Sequence, residues 1–156
     1  MEYDKNAKKI LVAVKDSTKS LDAARYAINT AKQYNVHLTI ITIIQTEPWL
    51  YGKRPYEWGS DDILDQAYSK QKNKMQQILD KIKTDADKIG VKSNSEIMLQ
   101  PRTYKIATSI IKYCKDNNID LIIIGDQSKS GLAKMLSGNI TNNVMKHAFC
   151  PVLVVK

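Results

Sequence analysis

The stretch DLIIIGDQSKSGLAKMLSGNITNNVMKHAFCPVLVVK, residues 120–156, decides the fold class. It opens with a short apolar run, Leu121–Ile124, passes through a glycine-containing turn, and ends with a second apolar run, Val152–Val155. Between the turn and the last run, apolar residues from Ile140 onward recur at helical spacing. A strand, a helix and a strand in this order indicate a right-handed crossover between parallel strands. The stretch therefore predicts an α/β fold.

Upstream, the same alternation of strands and helices continues. Strand candidates lie at Ile10–Val14, at Leu38–Ile44 and, with a weaker pattern, near Lys92–Leu99. The first two are rich in β-branched residues and almost uniformly apolar, which is typical of parallel strands covered on both faces. The chain thus predicts a mostly parallel sheet with helices on both sides.

Four helices are predicted between these strands. Ser17 and Ser20 both resemble helix caps, and we expect Ser20 to cap the first helix. We expect Gly90 to end the second helix in a left-handed conformation. The helical spacing predicts these inward-facing residues, helix by helix: Leu21, Ala24, Ala27, Ile28 and Ala31; Ile63, Leu64, Ala67, Tyr68, Met75, Ile78, Leu79, Ile82, Ala86 and Ile89; Ile106, Ala107, Ile110, Ile111 and Tyr113; Ile140, Val144 and Met145.

Length and composition fit a single domain over residues 1–156. The chain is 43% hydrophobic and 26% charged, which is ordinary for a soluble globular protein. It has no apolar run near the ~18 residues that span a membrane, and its first residues do not form a signal peptide. We therefore expect a cytoplasmic protein with no membrane contact.

The net charge of +8 permits an anionic partner such as nucleic acid or a phosphorylated ligand. The lysines are spread through the chain, and no recognition helix accompanies them. We therefore expect no specific nucleic-acid binding.

The turn after Leu121–Ile124 is the strongest functional signal. Loops at the carboxyl ends of parallel strands bind ligands where the strand order reverses. Here the turn from Gly125 to Gly138 leads into a helix, whose free N–H groups attract phosphate. No acidic residue follows Gln127, whereas Lys129, Lys134, Lys146 and Lys156 are basic. This asymmetry indicates a negatively charged ligand.

These residues carry a family resemblance. The segment 120–156, the opening KKILVAVKDSTKS at residues 8–20, the order of elements and the total length resemble the universal stress protein family. The resemblance implies a three-layer, adenine nucleotide alpha hydrolase-like fold whose five-stranded parallel sheet has the order 3-2-1-4-5. It also implies ATP or a related adenine nucleotide over strands one and four, with any Mg²⁺ held largely through the phosphates. A homodimer paired through the C-terminal strand, residues 151–156, is implied as well.

The family's nucleotide binders carry the motif G-x2-G-x9-G-[ST] at this turn, and this chain matches it in part. Gly125 and Gly138 keep the spacing, whereas Ser128 replaces the middle glycine and Asn139 the hydroxyl residue. Thr141 matches a second hydroxyl position. Lys15 stands where the family's nucleotide binders place an aspartate that recognises adenosine, and Asp16 follows it. The family match assigns these residues to the nucleotide site: Ala13, Lys15, Ile43, Ile124, Gly125, Ser128, Gly138, Asn139, Ile140 and Thr141.

The resemblance leaves two functions open. The first is a dimeric nucleotide-binding sensor or regulator of the stress response, with at most slow ATP hydrolysis because no general base is evident. The second is a dimerising adaptor that has lost nucleotide binding, which the replacements at Lys15, Ser128 and Asn139 favour. The sequence contains no set of residues with the spacing of a hydrolase or transferase active site. It predicts no catalytic residue and no metal site.

Other conspicuous residues have simpler explanations. The aromatic residues of the 45–59 loop could form a flap over the ligand, although packing on a helix or a partner subunit is favoured. Cys114 and Cys150 are expected to be reduced and to act as small apolar residues. His37 and His147 lack partners at catalytic or metal-binding spacing.

Overall fold

The computed structural model describes residues 9–46, 62–126 and 140–156; for residues 62–67 it describes the backbone. Five strands alternate with four helices in this part of the chain. The elements in chain order are β1 Lys9–Ala13, α1 Thr18–Tyr34, β2 His37–Thr46, α2 Asp62–Lys88, β3 Ser93–Pro101, α3 Ile106–Asp116, β4 Leu121–Gly125, α4 Ile140–His147 and β5 Val152–Val155.

The strands form one parallel sheet in the order β3-β2-β1-β4-β5, which confirms the predicted architecture. β1 is central, with Val12 opposite Ile40 of β2 and Ile123 of β4. The chain first builds outward from β1 through β2 to β3, then returns to the other side of β1 for β4 and β5. The strand order therefore reverses between β1 and β4.

Helices cover both faces of the sheet, because successive side chains of each strand point to opposite faces. Ile10 and Val12 pack with α1 and α2 on one face. Leu11 packs with α3 and α4 on the other. This double burial explains why β1, β2 and β4 are almost continuously apolar. Within the described ranges, no helix combines the length and apolar character that crossing a membrane requires.

The cap of α1 differs from the prediction. Ser17, not Ser20, is the N-cap residue, and its side chain accepts a hydrogen bond from the Ser20 backbone N–H at 3.2 Å. Ser20 lies inside the first turn and is buried. β1 ends at Ala13, and the short connection brings the chain into the helix three residues earlier than expected. Gly90 has φ +77°, which confirms the predicted left-handed position after α2.

Three details at the ends of helices and strands also differ from the sequence-based predictions. Met145 of α4 is 47% exposed and Ile89 is 38% exposed, so their prediction as inward-facing residues was wrong. The eight-residue α4 buries only a narrow stripe, Thr141 and Val144, and Ile89 lies beyond the last residue of α2. β2 continues through Gln45 and Thr46, which pair with the end of β3. These two residues therefore belong to a strand and not to the predicted 45–59 loop, whose aromatic residues lie outside the described residues.

Candidate functional site

A cleft lies at the carboxyl ends of β1, β2 and β4, at the point where the strand order reverses. In open α/β sheets this is the place where ligands bind. Its wall is mostly aliphatic, with contributions from α1, α3 and α4. The lining residues are Ala13, Val14, Lys15, Ser20, Ile41, Thr42, Ile43, Ile106, Ile110, Ile124 and Ile140.

The cleft brings together several residues that the family match assigned to the nucleotide site. The cleft is lined by Ala13, Lys15, Ile43, Ile124 and Ile140, which come from β1, the connection after it, β2, β4 and α4. They meet because the carboxyl ends of parallel strands share one edge of the sheet. Ser128, Gly138 and Asn139 lie outside the described residues, so their assignment stays a prediction.

Gly125, the last residue of β4, lies against the first turn of α1. A β-carbon added there would lie 2.5 Å from the Lys19 carbonyl oxygen and 3.1 Å from the Ser20 nitrogen. Side-chain carbons are not found so close to backbone atoms, so only glycine allows α1 to pack here. The family match assigned Gly125 to the nucleotide site. In the structure its missing side chain leaves room for a helix.

Thr141 is buried in the first turn of α4. Its hydroxyl donates a hydrogen bond of 3.3 Å to the Gly125 carbonyl, which ties the start of α4 to the end of β4. This contact fixes the helix terminus that lies beside the cleft. A direct contact between Thr141 and phosphate stays a prediction, because the described hydroxyl proton already has an acceptor.

Ser20 is a site residue that the sequence reasoning missed. It is only 1% exposed, and its Oγ accepts a hydrogen bond of 3.0 Å from the Lys15 backbone N–H beneath the cleft. The signal was the pair of serines three residues apart, Ser17 and Ser20. Both were interpreted only as helix caps, because sequence spacing does not show which face of the first turn meets the sheet.

Electrostatically, the described lining is simple. Lys15 is its one charged side chain, and the polar side chains beside it are the hydroxyls of Ser20 and Thr42. Lys15 is exposed, and its positive charge favours an anionic ligand. The described part of the cleft therefore suits a ligand with an apolar part and negative charge.

The histidines and cysteines lie outside this cleft lining. His37 is the first residue of β2 and lies at the amino ends of the strands, away from the cleft. Its Nε2 is 2.6 Å from Oδ1 of Asn94. Burial raises the pKa of the Cys114 thiol to about 12 and also raises the pKa of Cys150. Both are therefore neutral thiols at physiological pH. In the described ranges, no cluster of three or more His, Cys, Asp or Glu side chains could hold a metal ion.

Comparison with known proteins supports the fold and places the chain among relatives. Residues 6–156 match the model of the universal stress protein family. The universal stress protein MJ0531 of Methanocaldococcus jannaschii is 35% identical over 149 residues, which covers 96% of this chain and 82% of the relative. Among solved structures, the universal stress protein UspA from Lactobacillus plantarum superposes with a TM-score of 0.76 at 20% identity, covering 96% of this chain and 98% of its own.

Two structural neighbours were solved with adenine nucleotides. A universal stress protein in complex with cAMP has a TM-score of 0.68 at 19% identity and covers 96% of both chains. The universal stress protein from Archaeoglobus fulgidus in complex with dAMP has a TM-score of 0.63 at 17% identity, covering 96% of this chain and 98% of its own. At these low sequence identities, the likeness between the structures shows a shared fold alone.

Proposed function

Since the chain belongs to the universal stress protein family, we propose that it is a nucleotide-binding sensor or regulator of the stress response that works as a dimer. Its ligand is an adenine nucleotide held in the cleft between β1, β2 and β4. Binding, and not catalysis, is the proposed activity, and any hydrolysis of ATP is expected to be slow. The described lining residues include no carboxylate, histidine or cysteine that could act as a general base.

The observation that carries this proposal is the convergence of Lys15, Ile43, Ile124 and Ile140 on one cleft at the strand-order reversal. An adenine ring is a flat apolar body with polar edges, and aliphatic side chains from two sides suit its faces. The cAMP and dAMP complexes of structural neighbours support the choice of adenine.

The phosphates are proposed to lie toward α4. The helix begins at Ile140, which lines the cleft, so the backbone N–H groups of its first turn would lie beside the ligand. Gly138 and Asn139 directly precede this helix in the sequence and would supply further N–H groups. Any Mg²⁺ would be bound largely by the phosphates themselves.

Calorimetric titration of the purified protein with ATP, ADP and AMP tests the proposal. Saturable binding of at least one nucleotide is expected, and a Gly138→Val variant is expected to lose it while keeping the thermal unfolding midpoint of the wild type. Lys92→Met is the control, because Lys92 is exposed and lies just before β3, at the opposite edge of the sheet. Absence of binding up to millimolar nucleotide would contradict the proposal.

That outcome would favour the second candidate, a dimerising adaptor of the same family that has lost nucleotide binding. The specific observation on its side is Lys15, since the cleft presents a cation where the family's nucleotide binders place a carboxylate. The two candidates share the dimer and differ in the ligand.

The dimer is proposed to form through β5, an edge strand of the sheet. The carbonyls of Pro151 and Val155 accept hydrogen bonds from the N–H groups of Ile122 in β4 and of Asp126 directly after it. By the alternation of a strand, the backbone groups of Val152 and Val154 then point to the open edge. Such an edge favours pairing with another chain.

A proline substitution at β5 tests this pairing. Val154→Pro removes an outward N–H group and leaves the bonds to β4 in place, so we expect a monomer in light scattering. Val154→Thr keeps the N–H group and is expected to remain dimeric. A wild-type monomer at micromolar concentration would contradict the proposed dimer.

A further inference from the structure

The end of the cleft next to β1 carries a positive charge. Lys15, which follows β1 by two residues, lines the cleft, at the position that the family resemblance assigns to an aspartate. A carboxylate accepts hydrogen bonds from ribose hydroxyls, whereas an ammonium group only donates. Lys15 therefore does not take over the role of that carboxylate, and it favours a ligand that brings negative charge to this end.

The neighbouring carboxylate does not compensate for this change. Asp16 pairs with Lys74 of α2, with Lys74 Nζ 2.6 Å from Asp16 Oδ2. The helix α2 packs on the sheet face opposite α3 and α4. Asp16 is thus absent from the described lining of the cleft, and its charge is partly neutralised where it lies.

The backbone around Lys15 is held in register, so Asp16 cannot replace it by a slip of one residue. The Val14 N–H donates to the Ile41 carbonyl at 2.9 Å, and the Lys15 N–H donates to the buried Ser20 hydroxyl at 3.0 Å. The Lys15 carbonyl accepts from the Ser17 N–H at 2.8 Å. A slip would break all three bonds and leave buried polar groups unpaired, which is costly.

We propose that the preferred ligands are adenine nucleotides with a second phosphate on the ribose, at the 2′ or the 3′ position, and that Lys15 selects them. The inference rests on the proposed function, since it assigns a ligand class to the same cleft. The 5′-phosphate lies toward α4, and the ribose phosphate pairs with the ammonium group of Lys15. Lys15 is exposed, and its ammonium group would pair with this phosphate through a charge-assisted hydrogen bond.

Calorimetry with three isomers of equal phosphate content tests the inference: ADP, adenosine 2′,5′-bisphosphate and adenosine 3′,5′-bisphosphate. At least one bisphosphate is expected to bind roughly tenfold more tightly than ADP, as for one added charge-assisted contact. Comparison of the two bisphosphates shows which ribose position is recognised. Each bisphosphate has two monoester phosphates and carries about one negative charge more than ADP near neutral pH. Bulk attraction to this basic protein is therefore measured separately, by the same titrations of a Lys92→Met variant.

Variants at position 15 test whether the Lys15 side chain causes the preference for a bisphosphate over ADP. Lys15→Met is expected to remove the preference, Lys15→Arg to keep it, and Lys15→Asp to reverse it in favour of ADP with its free ribose hydroxyls. Lys92→Met loses the same charge at the opposite edge of the sheet and is expected to keep the wild-type preference. Lys15 is exposed, so thermal unfolding should show all four variants folded.

The outcomes separate this inference from the proposed function. If ADP and both bisphosphates bind equally well, or if Lys15→Met keeps the preference, the inference is overturned while nucleotide binding stands. If none of the three ligands, nor AMP or ATP, binds the wild type, the proposed function fails and this inference fails with it.

Discussion

Gly125 and Lys19 are in a contact that no other residue type at position 125 would allow. A β-carbon on Gly125 would lie 2.5 Å from the Lys19 carbonyl oxygen, which belongs to the backbone of the first turn of α1. The end of β4 and the start of α1 are thereby locked together directly beside the cleft. Gly125, the first glycine of the partly matched family motif, thus has a packing role in this protein.

The first prediction concerns this contact. Gly125→Ala should lower the free energy of unfolding by about 1–3 kcal/mol, because the strand or the helix must move to admit the methyl group. Gly125→Asn should cost more, since its side chain is larger. Urea unfolding followed by circular dichroism measures both.

Gly90 provides the matched control. It has φ +77°, and a β-carbon there would meet only the flexible Lys32 Nζ, at 3.7 Å. Its constraint is the left-handed backbone, which asparagine tolerates better than alanine. At position 90, asparagine should therefore lower the free energy of unfolding less than alanine does. At position 125, it should lower it more. The same order at both positions would contradict the packing explanation.

The second prediction concerns the cap of α1. Ser17→Ala should lower the free energy of unfolding by about 1 kcal/mol, because the Ser20 N–H loses its side-chain acceptor. Thr18→Ala, an exposed change at the next residue, is the control and should leave stability nearly unchanged. Hydrogen exchange should show faster exchange of the Ser20 amide in the Ser17 variant alone. Unchanged protection of that amide would show that the cap is not Ser17.

The third prediction concerns Cys114. Burial raises its pKa to about 12, so almost none of it is thiolate at pH 8. Alkylation by iodoacetamide should be slower in the folded than in the unfolded protein by about a thousandfold from ionisation alone. In a Cys150→Ser variant Cys114 is the one remaining cysteine, so mass spectrometry of the intact protein measures its alkylation directly. Rapid labelling at Cys114 in the native state would contradict the assignment.

The same pKa shift has a consequence for stability. The folded state favours the neutral thiol, so its contribution is complete below the unfolded pKa, near 9. It is lost as the pH rises from there toward 12. A Cys114→Ala variant should show a weaker loss of stability over that alkaline range than the wild type does.

The fourth prediction concerns the Asp16–Lys74 ion pair. Both side chains are more than half exposed, so Lys74→Met should lower the free energy of unfolding by less than about 1 kcal/mol. Addition of 1 M salt should remove most of the difference between the variant and the wild type. A loss of several kcal/mol would show that the pair holds α2 to the connection after β1.

The sequence by itself determined the elements of this protein and the class of its fold. The strands around Val12, Ile40 and Ile123 are mostly apolar, because both faces of the sheet are covered, and that pattern is readable without coordinates. Gly90 marked the end of α2 because few residues other than glycine adopt φ +77°. The strand order followed from the resemblance to a known family.

Only the tertiary structure decided which neighbour each of the remaining residues meets. The assignment of Ser17 as cap and Ser20 as the partner of Lys15 depends on where α1 enters, which spacing alone does not specify. The direction of Asp16 toward Lys74 depends on the packing of α2 on the other face of the sheet. Gly125 contacts the Lys19 carbonyl, a residue more than a hundred positions away. Such contacts join elements that are distant in the chain, so local sequence patterns carry no record of them.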